Sequence, residues 1–146
     1  KLLDRLLEIR TIKNLKVVTN TQPATFPDGM DISIFKFYLL KKAYLRAKKK
    51  SDLEHVTPYM YNSKKFKIKR KEFKKNISKF RFCIDYESDF NFFVKLIKYF
   101  KNRIYDISML DLIKHVKKKP KLIHYQKKII RNQGWYSSLK KDEKFR

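Results

Sequence analysis

The chain has 146 residues, 42% of them hydrophobic and 15% aromatic, enough for one domain or part of one and too apolar for a disordered segment. Its 38 Lys and Arg against 14 Asp and Glu give a formal charge of +24, so acids are scarce. No apolar run approaches the roughly 18 residues that cross a bilayer, and a single cysteine, Cys83, excludes an internal disulfide.

Leu2, Leu3, Leu6, Leu7 and Ile9 are spaced for one face of a short helix. This opening is amphipathic and lacks the apolar centre of a signal peptide. It also lacks an initiator Met, so the chain is expected to start inside a longer protein. Leu15 to Thr19 is β-branched and apolar and predicts a strand. Asn20 to Met30 holds two of the four prolines and one of the two glycines, which predicts a loop with fixed turns. Asp31 to Phe35 alternates as a short strand, and Phe37 to Lys50 carries helical spacing.

Ser51-Asp52-Leu53-Glu54 has the pattern of a capping box before a short helix. Phe66 to Lys69 alternates like an edge strand, and Lys79 to Ile84 predicts the next strand. Asp89 to Lys101 predicts a helix with Phe90, Phe93, Val94, Ile97 and Phe100 inward. Asp106 to Lys117 predicts another, and Pro120 is suited to open a helix over Lys121 to Arg131 that Gly134 stops. Strands and helices alternate and the last 60 residues are mainly helical, so the fold class is α/β.

The basic residues are 30 Lys and only 8 Arg. Arginine is the residue suited to bidentate phosphate and base contacts, so the charge reads as a solvated lysine coat rather than a nucleic-acid surface. Cys83 sits in an apolar run as a small hydrophobe, which fits a reducing, cytoplasmic setting.

Four of the few acids fall where a phosphate-transfer site needs them. Asp85 ends the apolar run Phe80 to Ile84, and ligands of an open α/β sheet bind beyond the carboxyl ends of strands. A carboxylate there suits magnesium, which takes one or two carboxylates plus phosphate oxygens. The same position also suits a helix N-cap, with Glu87 and Asp89 favoured by the helix dipole. Pro27-Asp28-Gly29 is good turn chemistry, whereas Asp31 opens a strand from which Asp is normally depleted. Glu54-His55-Val56-Thr57 brings an acid, an imidazole and a hydroxyl to a helix start, although a lone histidine is commonly a packing residue. The three histidines and one cysteine lack zinc spacing, and two glycines cannot build a phosphate-cradling loop.

Taken in order, these segments carry a resemblance. They are Val17-Val18-Thr19-Asn20, Pro27-Asp28-Gly29-Met30-Asp31, Glu54-His55-Val56-Thr57-Pro58-Tyr59, Phe82-Cys83-Ile84-Asp85 with Asp89, and Asn132-Gln133-Gly134. They resemble the spore-coat polysaccharide (SpsF-type) cytidylyltransferase family, related to the synthetases of CMP-Kdo and CMP-sialate. The resemblance implies the Rossmann-like nucleotide-diphosphosugar transferase fold, with residues 1–146 as the C-terminal part of a single domain. It implies transfer of CMP from CTP to an acidic or modified sugar, with Mg²⁺ as cofactor and a homodimer as an admissible assembly. The family's glycine-rich loop and first metal-binding aspartate would lie upstream of Lys1, leaving the segment inactive alone. Asp85 matches the second metal-binding aspartate, Asp28 and Asp31 face the sugar pocket, and His55 lies near it. Ala24 and Ser33 depart from the basic and acidic residues common in relatives, and Tyr86-Glu87-Ser88 departs from the usual Thr-Pro-Glu. The alternative is a Lys-rich α/β module that binds RNA or another polyanion without catalysis.

Overall fold

The computed structural model describes residues 2–62, 68–123 and 128–144. A three-stranded sheet is built around β1 (Val17–Thr19), every residue of which is buried. Strand β2 (Ser33–Phe35) pairs with it antiparallel and β3 (Ile68–Arg70) parallel, in the order β2-β1-β3. Neighbouring side chains on a strand point to opposite faces. Val18 accordingly packs with Leu6 of α1 (Leu2–Ile12) and with Leu15, while Val17 packs with Leu39, Ala43 and Met60. Those three come from α2 (Phe37–Arg46) and α4 (Thr57–Asn62), so helices cover both faces of β1. This mixed α/β arrangement agrees with the expected fold class.

A second core lies beyond the sheet. Phe92, Leu96 and Phe100 of α5 (Glu87–Phe100) pack with Ile113 and Val116 of α6 (Met109–Lys118) beneath Ile77, Phe80 and Phe82. Ser108 caps α6, its hydroxyl accepting from the Asp111 N–H at 3.2 Å. Helix α3 (Lys50–His55) carries α7 (Gln133–Lys144) on its side. No described helix is long and apolar enough to cross a membrane.

Several expectations are corrected. Lys79 to Ile84 is no ladder strand: Lys79 lies in a turn, and one parallel bridge joins Asp28 to Arg81, with the Asp28 N–H to the Phe80 carbonyl at 2.9 Å and the Phe82 N–H to the Asp28 carbonyl at 2.8 Å. The segment meets a loop instead of a strand, so nothing propagates the pairing. In α5, Phe100 is buried and Phe93 packs against the core as expected, but Phe90 and Ile97 are exposed and Phe92 and Leu96 take the inward positions instead. Its many apolar positions allow either phase, and packing against α6 decides.

Ser51 does not cap α3, which begins at Lys50 with Lys49 as an unassisted cap. Of the expected helix over Lys121 to Arg131, residues 124–127 lie outside the described residues; before them Pro120–Ile123 is a 3₁₀ turn, and after them Ile129 to Arg131 are not helical. Gly134 stops no helix and sits in the first turn of α7. Of the expected edge strand, Phe66 and Lys67 lie outside the described residues, and the ladder occupies Ile68–Arg70.

Gly29 fixes how the loop meets the Lys79 to Ile84 segment. Its φ is +86°, and a Cβ there would lie 2.2 Å from the Phe82 carbonyl oxygen, a backbone atom with no easy retreat. Gly29→Ala is therefore expected to cost about 2–3 kcal/mol in urea unfolding. It should also loosen the Asp28–Arg81 bridge, read as faster amide exchange at Phe82.

Candidate functional site

One buried guanidinium organises the site. Arg81, 8% exposed, donates from Nη1 to Asp28 Oδ2 at 2.8 Å and from Nη2 to Asp85 Oδ2 at 2.5 Å. To Asp89, which is fully buried, it donates twice, from Nε at 3.1 Å and Nη2 at 2.9 Å. Asp89 also accepts the backbone N–H groups of Asp85 and Tyr86, at 3.1 and 3.2 Å. Asp89, rather than Asp85, thus satisfies the orphan donors at the start of α5, so the N-cap reading of Asp85 is corrected. Burial alone would raise the Asp89 carboxyl, but the Arg81 hydrogen bonds and the two N–H groups hold it below the ordinary carboxylate range. Asp89, foremost through its hydrogen bonds, and Asp85 raise the Arg81 pKa in return.

Asp85 keeps an exposed side chain, 62% accessible, although one of its oxygens rests on Arg81. It lines a cavity of about 350 Å³ together with Asp28, Arg81, His55 and Trp135. An adjoining cavity of about 530 Å³ shares His55, Asn132 and Trp135 with the first and is lined by Asp31, Ser33, Tyr61 and Arg131. Three of the four acids singled out from the sequence, and the histidine, divide between these two spaces: Asp28 and Asp85 on the first, Asp31 on the second, His55 on both, while buried Asp89 lines neither.

Asp31 lies with a second arginine. Arg131 Nη2 donates to Asp31 Oδ1 at 2.5 Å and Nη1 to the Phe26 carbonyl at 2.9 Å, while Nε faces Asp28 Oδ1 at 3.8 Å. Burial raises the Asp31 carboxyl more than Arg131 lowers it, and Asp28 adds to the rise. Four hydroxyls stand beside this pair. Buried Thr19 Oγ1 lies 2.9 Å from both Thr21 Oγ1 and Ser33 Oγ, and Tyr61 Oη donates to it at 3.3 Å. Tyr61 also closes tightly on Ser33.

His55 ends α3, and its ring is held from α7. Nε2 is 3.2 Å from Ser138 Oγ, and the Trp135 ring meets it edge-on at 5.3 Å. Ser138 donates to Glu54 at 2.6 Å, and farther along α3 the buried Ser51 hydroxyl donates to Asp142 at 2.5 Å. Val56, which follows, has φ 60°, a conformation costing a β-branched residue about 1–3 kcal/mol. It separates α3 from α4 and turns the imidazole toward the two cavities.

Among the described residues no group of three or more His, Cys, Asp and Glu is arranged to hold a metal ion. At the first cavity the described residues offer one outward carboxylate, Asp85, which would suit a magnesium held chiefly by phosphate oxygens and suits no all-protein cage. Cys83 is no thiolate ligand. Burial, then the Asp28 charge, pushes its thiol up to about 12.

Arg81 and Arg131 were missed in reading the sequence. The available signal was scarcity, since these are two of only 8 arginines among 38 basic residues. Arginine rather than lysine suits a planar fork shared by several carboxylates.

No family model matches the chain. It is 32% identical over 98 residues to an uncharacterized protein of Methanocaldococcus jannaschii, a match that covers 64% of this chain and 39% of that protein. Among solved structures it is similar to a cytidylyltransferase from Leptospira borgpetersenii, at 32% identity and a TM-score of 0.76. That match covers 88% of this chain and 54% of the other. The chain therefore has the cytidylyltransferase-like nucleotide-transferase fold and spans about half the length of that neighbour.

Replacing Arg81 by Gln removes the cation shared by three acids and leaves only Arg131, 3.8 Å from Asp28, nearby, and should cost about 3–5 kcal/mol in chemical denaturation at pH 7. In the parent chain, the Asp89 contribution is complete above about pH 4 and is lost as pH falls through the lowered native value. Asp31, raised in the native state, works the other way and gains on acidification. The gap between parent and Arg81→Gln should accordingly narrow from pH 7 to pH 3. A constant gap would mean that the guanidinium acts by packing alone.

Proposed function

We propose that this chain is the C-terminal part of a cytidylyltransferase that joins CMP from CTP to a sugar, releasing pyrophosphate, in surface polysaccharide biosynthesis. The observation that carries this reading is Asp85, held by Arg81 at the first cavity of a fold shared with a cytidylyltransferase at 32% identity. The SpsF-type kinship and the acidic or modified sugar rest on the sequence resemblance.

The chemistry is a displacement at the α-phosphorus of CTP. A sugar hydroxyl oxygen forms the new P–O bond, the bond from the α-phosphorus to the bridging oxygen breaks to release pyrophosphate, and the hydroxyl proton passes to water. Rate comes from positioning and from charge placed against the phosphates. Asp85 would hold magnesium, which supplies neutralisation of phosphate charge when bound.

The chain's own residues then act as follows. Arg81 fixes the Asp85 carboxylate by one oxygen and leaves the other directed outward. Asp28, nearly buried, works through Arg81 rather than by reaching the substrate. Asp31 orients the sugar in the second cavity, and His55 forms the wall between the two spaces. The remaining nucleotide contacts would come from the upstream part of the whole protein, so the segment alone is inactive in this reading. A polyanion-binding module has the +24 charge in its favour, but four carboxylates to two guanidiniums leave the site itself at −2.

Asp85→Asn in the whole protein should lower CTP-dependent pyrophosphate release by at least about a hundredfold. Its melting temperature should move little, because the side chain is 62% exposed. Near-parental release would remove Asp85 from the mechanism.

A further inference from the structure

We infer that the sugar admitted by the second cavity is an uncharged, hydroxyl-rich sugar rather than a sugar acid, an inference that rests on the transferase reading above. The cavity is built for hydroxyl groups. Thr21, Ser33 and Tyr61 line it and share buried Thr19 Oγ1 as a common centre. Each such hydroxyl can both donate and accept, which matches the hydroxyls of a polyol one for one. The Trp135 ring and Phe35 supply apolar faces for the C–H side of a sugar ring.

The one arginine among the described lining residues is already committed. Arg131 gives one terminal nitrogen to Asp31 and the other to the Phe26 carbonyl. Its Nε is buried without a hydrogen-bond partner and faces Asp28, out of a ligand's reach. A sugar carboxylate seated on that guanidinium would stand beside Asp31 and close to Asp28, three anions on one cation. Like charges at such range repel strongly where water is partly excluded. A sugar hydroxyl meets no such cost: it can donate to Asp31, which holds one oxygen off Arg131, and accept from the hydroxyl cluster.

The test is a substrate panel on the whole protein with CTP and magnesium. Mannose, galactose and rhamnose are compared with 2-keto-3-deoxy sugar acids and glucuronate, following pyrophosphate and the CMP-sugar by mass spectrometry. At least one neutral sugar should exceed every acid in kcat/KM by about a hundredfold. Thr21→Val and Tyr61→Phe should each raise the KM for that sugar roughly tenfold while leaving the KM for CTP unchanged. Thr21 sits in the loop, so its variant keeps the test open should Tyr61→Phe misfold. Faster turnover of the acids, or hydroxyl variants that leave the sugar KM unmoved, overturns the inference and leaves the transfer reading standing. Absence of CTP-dependent product with both classes removes the transfer reading, and this inference with it.

Discussion

Three carboxylates converge on the guanidinium of Arg81, and the arrangement of the site follows from that shared cation. Asp28 belongs to the loop after β1, Arg81 to the segment bridged to it, and Asp85 and Asp89 to the entry of α5. Hydrophobic contact alone would press these segments together in many registers. A planar fork with fixed donor directions admits few. Buried ion pairs of this kind add little net stability over an apolar replacement, since desolvation offsets most of the attraction. Their effect here is directional: Asp89 is wholly buried and spends itself on Arg81 and the helix start, while Asp85 on the same cation stays in solvent. One cation thereby separates a structural acid from an available one.

The second half of the site is held by different physics. Helix α7 reaches α3 through hydroxyl–carboxylate pairs, Ser51 with Asp142 and Ser138 with Glu54, and through the Trp135 edge on His55. Polar pairs across a helix interface fix rotation about the helix axis more sharply than aliphatic packing does. That rotation decides whether Trp135 and His55 stand between the two cavities. The cost appears at Val56, whose left-handed backbone ends α3 at the imidazole. Arg131, just before α7, links this half to the first through Asp31 and the Phe26 carbonyl.

Much of this was legible in the residues. Asp28, Asp31 and Asp85 stood out because acids are rare in a chain of +24 and because turn and strand chemistry placed them near element ends, and His55 because an acid and a hydroxyl flank it at a helix start. The strand through Val17 and Val18 could be read from its β-branched, apolar run. What was not legible depends on distance in sequence. The Asp28–Arg81 bridge spans 53 residues and the Ser51–Asp142 pair 91, and no local pattern announces either. Ser51 looked like a cap because its spacing to Glu54 fits one, but its hydroxyl found a stronger acceptor in a remote carboxylate. The phase of α5 was ambiguous because Phe90, Phe92, Phe93, Leu96 and Ile97 fill more than one face. Lys79 to Ile84 has the composition of a strand, yet pairing requires a neighbour with free backbone groups, and only Asp28 offers them.

The contrast between coat and site carries a final consequence for how the molecule meets phosphate. Thirty lysines give a long-range attraction for polyphosphate that is diffuse and falls with salt. Inside the site the sign reverses, four carboxylates to two arginines that are already paired. A polyphosphate drawn in by the coat therefore meets repulsion at Asp85 unless a divalent cation comes with it. The same reversal discriminates among anions by what they bring. In the proposed transferase, a nucleotide that carries its own magnesium would be accepted by the outward carboxylate of Asp85, whereas a bare anion finds no free arginine among the described lining residues. Under the proposed function, attraction at a distance and selectivity at contact would thus fall to different residues, lysines for the first and the Arg81 cluster for the second.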